Sequence, residues 1–128
     1  VAARPDHPLH RGATPPSIAD ALTYPRGAAT APPRVRQWVS ANFPQVDLRV
    51  GLTCDNYEVL VSTAEHTDML VLGPSSILLR YQTAGRIALL PMTYPSPPSE
   101  PAVLSLRGRP RSAAVQAFMD AFMAQRGP

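Results

Sequence analysis

The sequence predicts an α/β fold, a sheet flanked by helices, on three observations. Its hydrophobic period switches back and forth between 3.6 and 2 along the chain. Proline and glycine fall between the periodic segments, so the 16 prolines read as punctuation and not as a low-complexity tract. Finally, 128 residues with 45% apolar and 16% charged content suit about one globular domain with a modest core.

The elements follow in order. The chain starts at Val1-Ala2-Ala3 in what reads as a strand, which suggests a piece of a longer protein. Ser17 is placed to cap a short helix to Leu22, with Asp20 completing a capping box. A second helix is predicted from Pro33, a favoured first-turn residue, to about Phe43. Val35, Trp38, Val39 and Phe43 form its apolar stripe, opposite Arg34, Arg36, Gln37 and Ser40. Val46, Leu48, Val50 and Leu52 then alternate with Gln45, Asp47, Arg49 and Gly51, the period of a strand.

Asp55 reads as the N-cap of a helix from Asn56 to about Glu65, with Tyr57, Leu60, Val61 and Ala64 on its apolar side. Met69-Leu70-Val71-Leu72 is a continuous apolar run, the mark of a strand buried on both faces. Gly73-Pro74 ends it, Ser75 is placed to cap a helix to about Ala84, and Gly85 stops that helix. Ile87 to Leu90 and Ala102 to Leu106 read as strands on either side of a proline-rich connection. Ser112 caps a last helix whose Val115, Phe118, Met119, Phe122 and Met123 make a stripe suited to a core-facing surface.

In sheets of this kind, ligands bind at the carboxyl ends of strands, against helix N-termini. Two junctions have that form, Tyr24 to Arg34 and Leu52 to Asn56.

Composition excludes several functions. All 12 basic residues are arginine, and the net charge is +3. The only local group, Arg107, Arg109 and Arg111, has no interleaved aromatic residue to stack on bases, so it reads as a solvated loop. Cys54 is the single cysteine, which rules out an internal disulfide and leaves a redox sensor without a partner thiol. His7 and His10 are separated by Pro8 and share no helical face, and His66 is remote, so no metal site or cofactor is expected. No apolar run approaches the roughly 20 residues that span a bilayer. The familiar nucleophile, phosphate-loop and dinucleotide motifs are missing, and Asp47, Asp55 and Asp68 lie on different elements, so no enzyme is predicted.

The order of these pieces resembles the effector-binding domain of LysR-type transcriptional regulators over nearly the whole chain. Arg4-Pro5-Asp6-His7-Pro8-Leu9 is similar to the segment leading into that domain's second lobe, and Ser17 to Leu22 to its next helix. Tyr24-Pro25 with the small-residue loop to Arg34, and Thr53 to Val61, resemble two strand-to-helix steps. Ala84-Gly85-Arg86, Leu89-Leu90-Pro91, Ala102 to Arg107, and Arg109 to Ala114 with Phe118 resemble the family's closing segment.

The resemblance implies a type 2 periplasmic-binding-protein-like lobe, a mixed sheet flanked by helices. Residues 1–100 would form the second lobe, and residues 101–128 a strand and helix returning to complete the first. The last helix then needs another surface for its stripe, in its own lobe, on a second copy or on chain outside this sequence, and the expected outcome for these 128 residues alone is self-association or aggregation. By the same resemblance the effector site comprises Ala29, Thr30, Arg34, Val35, Asp55 and Asn56. Thr30 has the only side-chain hydroxyl of its loop, Arg34 is a bidentate donor beside a helix N-terminus, and Asn56 has both donors and an acceptor. These groups suit a small carboxylate or aromatic acid.

Further implications are a cytoplasmic homo-oligomer, a dimer or tetramer, that meets DNA only through an N-terminal winged helix-turn-helix outside this chain. A periplasmic-type solute-binding module shares the architecture and stays open as a rival. A hydrolase or isomerase would need turnover that depends on Asp55 or His7.

Overall fold

A computed structural model of the chain describes residues 1–44, 47, 49–92, 108 and 111–124. They belong to two compact units, Val1–Pro98 and Ser99–Pro128. The first unit is built on a five-stranded sheet: β1 (Ala2–Ala3), β2 (Arg26–Ala28), β3 (Leu52–Thr53), β4 (Leu70–Leu72) and β5 (Ala88–Leu89). The strand order is β3-β2-β4-β1-β5. β2 runs parallel to both neighbours, β3 and β4, whereas β1 is antiparallel to β4 and β5, which makes the sheet mixed.

The pleat sends successive residues to opposite faces, and the core divides accordingly. Val71 and Ala2 join Leu60, Val61, Ala64, Leu78 and Ile87 on one side of the sheet. Leu70 and Ala3 join Ala21 and Leu90 on the other, with Leu9 and Tyr24 packed alongside. Helices α3 (Tyr57–Glu65) and α4 (Ser75–Thr83) therefore cover one face. The short α1 (Ile18–Leu22) and a single 3-10 turn at Pro8–His10 serve the other. Two of the three residues of β4, Leu70 and Val71, are fully buried, one toward each face, and Leu72 is half-buried.

Local signals explain most of the boundaries. Ser17 Oγ accepts from the Asp20 N–H at 3.2 Å while Asp20 Oδ2 accepts from the Ser17 N–H at 2.8 Å, the expected capping box. α2 (Pro33–Asn42) begins on its proline. Val39 is buried, Val35, Trp38 and Phe43 are half-buried, and Arg34, Arg36, Gln37 and Ser40 face solvent. Gly85 ends α4 at φ +73°, a conformation that favours glycine. Arg86 ties α3 to the α4–β5 turn, donating to Glu65 at 2.7 Å and Glu58 at 2.6 Å.

Four features differ from the sequence expectations. The interior strand β2 is Arg-Gly-Ala, with no apolar alternation to announce it. It is covered by close approach instead: a Cβ on Gly27 would lie 2.7 Å from Met69 Cε and 3.1 Å from Leu60 Cδ2. Among the described residues of the strand expected from Val46, the strand is Leu52–Thr53. Asp47 Oδ1 accepts from the Arg49 N–H at 2.9 Å, a local bond that competes with a sheet ladder, and Gln45, Val46 and Leu48 lie outside the described residues. Ser75 is the first helical residue of α4 and does not cap it, because the extended Pro74 holds the N-cap position. Asn56, and not Asp55, caps α3.

In the second unit, the expected strand at Ala102–Leu106 lies outside the described residues. α5 (Ala113–Ala124) is present, with Ser112 Oγ accepting from the Val115 N–H at 3.3 Å. Its stripe is not buried by the described residues: Phe118 is 65% exposed and Met123 51%.

Candidate functional site

Adjacent parallel strands bring their carboxyl ends together. Ala28 at the end of β2 stands in register with Thr53 at the end of β3. The Cys54 N–H donates to the Ala28 carbonyl at 3.1 Å, which carries the pairing one residue further. The chain then diverges into two loops, residues 29–32 before α2 and residues 54–56 before α3. Thus the two junctions singled out in the sequence are neighbours at one edge of the sheet.

One hydrogen bond joins them. The Thr30 backbone N–H donates to Asp55 Oδ1 at 2.8 Å. That N–H, followed by the Thr30 hydroxyl, holds the Asp55 carboxyl below the usual carboxylate range. Asp55 therefore stays ionised and serves as the clasp between the loops. This corrects its expected role as a helix cap.

Asn56 takes that role. Its Oδ1 accepts from the Glu58 N–H at 2.9 Å. The acceptor is committed to the cap, and the amide NH2 is what Asn56 offers a ligand.

On the opposite loop, Ala29 is half-buried and Thr30 exposed. Arg34 is exposed in the first turn of α2 and makes no hydrogen bond to another described side chain. The N–H groups there are fewer than a generic helix start provides. Pro32 and Pro33 have none, and the Val35 and Arg36 N–H groups donate to the Pro32 carbonyl at 2.9 and 3.2 Å. Val35 is half-buried with its N–H engaged, so only its side chain is available. The Arg34 backbone N–H and guanidinium are the donors that remain in this turn.

Tyr57 is a neighbour that sequence reasoning placed in the core. Its ring lies over Gly73 just past β4, where an added Cβ would meet the phenol carbons at 2.6 Å. Burial, then the Asp55 charge, pushes its hydroxyl above the usual phenol range, so it remains a neutral donor and acceptor. A clue was in the sequence: a tyrosine two residues after Asp55 and a glycine after the β4 run. Cys54 is half-buried and packs against the core on the α3 side, as a small apolar filler does.

Taken together, the edge presents an ionised carboxylate, a guanidinium, a hydroxyl, an amide NH2 and a neutral phenol. This set has the chemistry to meet a polar small molecule by hydrogen bonds and charge. Among the described residues no three His, Cys, Asp or Glu side chains are grouped to hold a metal ion. No helix among them is long and apolar enough to cross a membrane.

Residues 1–126 match the family model described as LysR substrate binding domain. The chain is 30% identical over 122 residues to the SDS degradation transcriptional activation protein of Pseudomonas sp. (strain ATCC 19151). That match takes in 90% of this chain and spans 38% of the length of its relative. No solved structure matches the chain significantly.

Proposed function

Because this chain belongs to the LysR substrate-binding domain family, we propose that it is the effector-sensing portion of a LysR-type transcription regulator. The mixed sheet flanked by helices is the type 2 periplasmic-binding-protein-like architecture of that family. The observation that carries the reading is the Thr30–Asp55 hydrogen bond, which unites the two loops into one polar wall at the carboxyl edge of β2 and β3.

In this reading residues 1–100 are the second lobe and residues 101–128 return to the first. The effector lies against Ala29, Thr30, Arg34, Val35, Asp55 and Asn56, between this wall and its counterpart. It stabilises one closure of the two lobes, and that closure biases the geometry of a homo-oligomer on DNA. DNA itself is held by an N-terminal winged helix-turn-helix of the parent protein, in the cytoplasm. The matched relative is by its name a transcriptional activator, which favours regulation over solute transport. Asp55 is clasped by a main-chain N–H and held ionised, which supports a positioning role over acid–base catalysis.

The effector proposed is a small carboxylate or aromatic acid, oriented by Arg34 through a charge-assisted bond. Calorimetric titration of a panel of small aliphatic and aromatic acids tests this. Arg34→Ala weakens the binding acid by about 1.5–3 kcal/mol, the range for hydrogen bonds to charged groups. Unchanged affinity removes Arg34 from the site.

A further inference from the structure

His7 is fully buried, yet it belongs to no part of the edge described above. Both of its ring nitrogens are engaged. Nδ1 accepts from the Leu9 N–H at 3.1 Å and so caps the single turn at Pro8–His10. With Nδ1 an acceptor, the ring proton sits on Nε2, which donates to the Asp68 carbonyl at 3.3 Å. The ring also meets Tyr24 edge-on, with centroids 4.6 Å apart. One imidazole thus joins the segment after β1 to the α3–β4 turn and to the approach to β2.

Burial disfavours an imidazolium here, and the nearby acidic charges are partly answered already. Arg4 pairs with Asp6 and, at 2.8 Å, with Asp68, so the carboxylate nearest the ring is already answered by a guanidinium. His10, three residues on, has a buried Nε2 with no hydrogen-bond partner among the described residues. Burial is the main influence on both imidazoles and holds each below the ordinary histidine range. For His7 the bond to the Asp68 carbonyl opposes this first, then the Asp68 and Asp6 charges, while Arg4 adds to it; for His10 the neighbouring His7 adds to it.

We propose that His7 is an acid-sensitive latch, which holds residues 4–10 against the Asp68 turn and the Tyr24 ring and releases them when its Nδ1 takes up a proton. Protonation sets an N–H against the Leu9 N–H, so the capping bond is lost and a charge is left inside the contact. Solvating that charge requires the segment to lift. The same segment continues directly from β1, the antiparallel strand between β4 and β5, so release loosens the join between the sheet and its leading chain.

The sign follows from linkage. A histidine whose folded value lies below its unfolded value of about 6.5 contributes its full stability above that pH. The contribution is lost as pH falls through the window between the two values, at about tenfold in the folding constant per pH unit for each such histidine. Denaturant unfolding of the 128-residue chain between pH 8 and 5 reads this slope. His7→Asn keeps an acceptor for the Leu9 N–H and removes the titration, so its slope below pH 6.5 is shallower than the native one by about tenfold per pH unit. Equal slopes overturn the proposal.

Nitrogen-15 NMR of the unsubstituted chain decides the matter even where the variant does not fold. The expected result is that His7 protonation and fast exchange of the Leu9 amide appear together as pH falls. A protonated His7 beside a still-protected Leu9 amide overturns it.

Discussion

Helices α3 and α5 carry the same kind of apolar stripe, with residues spaced at three and four, but they end in different surroundings. In α3, Leu60, Val61 and Ala64 are completely buried beneath the sheet, and Arg86 clamps the outer face through Glu58 and Glu65. In α5, Phe118, Phe122, Met123 and Val115 are exposed, and among the described residues the two phenylalanine rings stack on each other at 6.2 Å. Periodicity states which side of a helix is apolar. It does not state which surface covers that side, because that surface comes from elsewhere in the fold or from beyond it.

The largest effect that tests this contrast is in the core of α3. Leu60→Ala removes a fully buried side chain that also presses on Gly27, and destabilises the chain by about 2–5 kcal/mol. Phe118→Ala, although a larger truncation, changes unfolding by less than about 0.5 kcal/mol, as exposed positions do. Chemical denaturation of both variants makes the measurement. A loss of several kcal/mol at Phe118 would mean that its stripe is buried in solution, and the two helices would no longer differ.

The same logic explains what was legible in the sequence. The helices at 33–42, 57–65 and 113–124 were readable from their stripes and a nearby cap or proline, and the helix at 75–83 from Gly73-Pro74 before it and Gly85 after it. β4 was readable from its unbroken apolar run. β2 was not, because Arg-Gly-Ala has almost no side chain to pattern and its burial is supplied by Met69 and Leu60, more than thirty residues away. The candidate loops were placed correctly at strand ends. The bond that unites them was invisible, since Thr30 and Asp55 are 25 positions apart and local spacing says nothing of their contact.

Gly27 gives the next largest effect and tests why β2 lacks a sequence signal. Gly27→Val sets carbon atoms where Met69 and Leu60 already lie, within 3.1 Å of both. Forcing α3 and Met69 off β2 destabilises by about 1–3 kcal/mol, the usual range for overpacking. A neutral result by the same unfolding measurement would show that the contact is loose, and that the missing pattern in β2 has some other cause.

The smallest effects separate Asp55 from Asn56, two adjacent residues that both suit a helix start by type. Asn56→Ala deletes the acceptor for the Glu58 N–H and lowers stability by about 1 kcal/mol, the typical loss of an N-cap. Asp55→Ala leaves that cap in place. Its effect is local: the Thr30 amide loses its acceptor and exchanges faster with solvent, whereas Asp55→Asn, which retains an oxygen, keeps the amide protected. The charge has a sign of its own to check. A carboxyl held below its ordinary value contributes stability above the unfolded value of about 3.9, and that contribution fades as pH falls through the folded value. Thr30 protection in the unsubstituted chain should therefore survive at pH 4, where a free aspartate is already about half protonated. Loss of protection well above pH 4 would mean that the clasp does not hold the carboxylate, and that the two loops at the sheet edge are positioned independently.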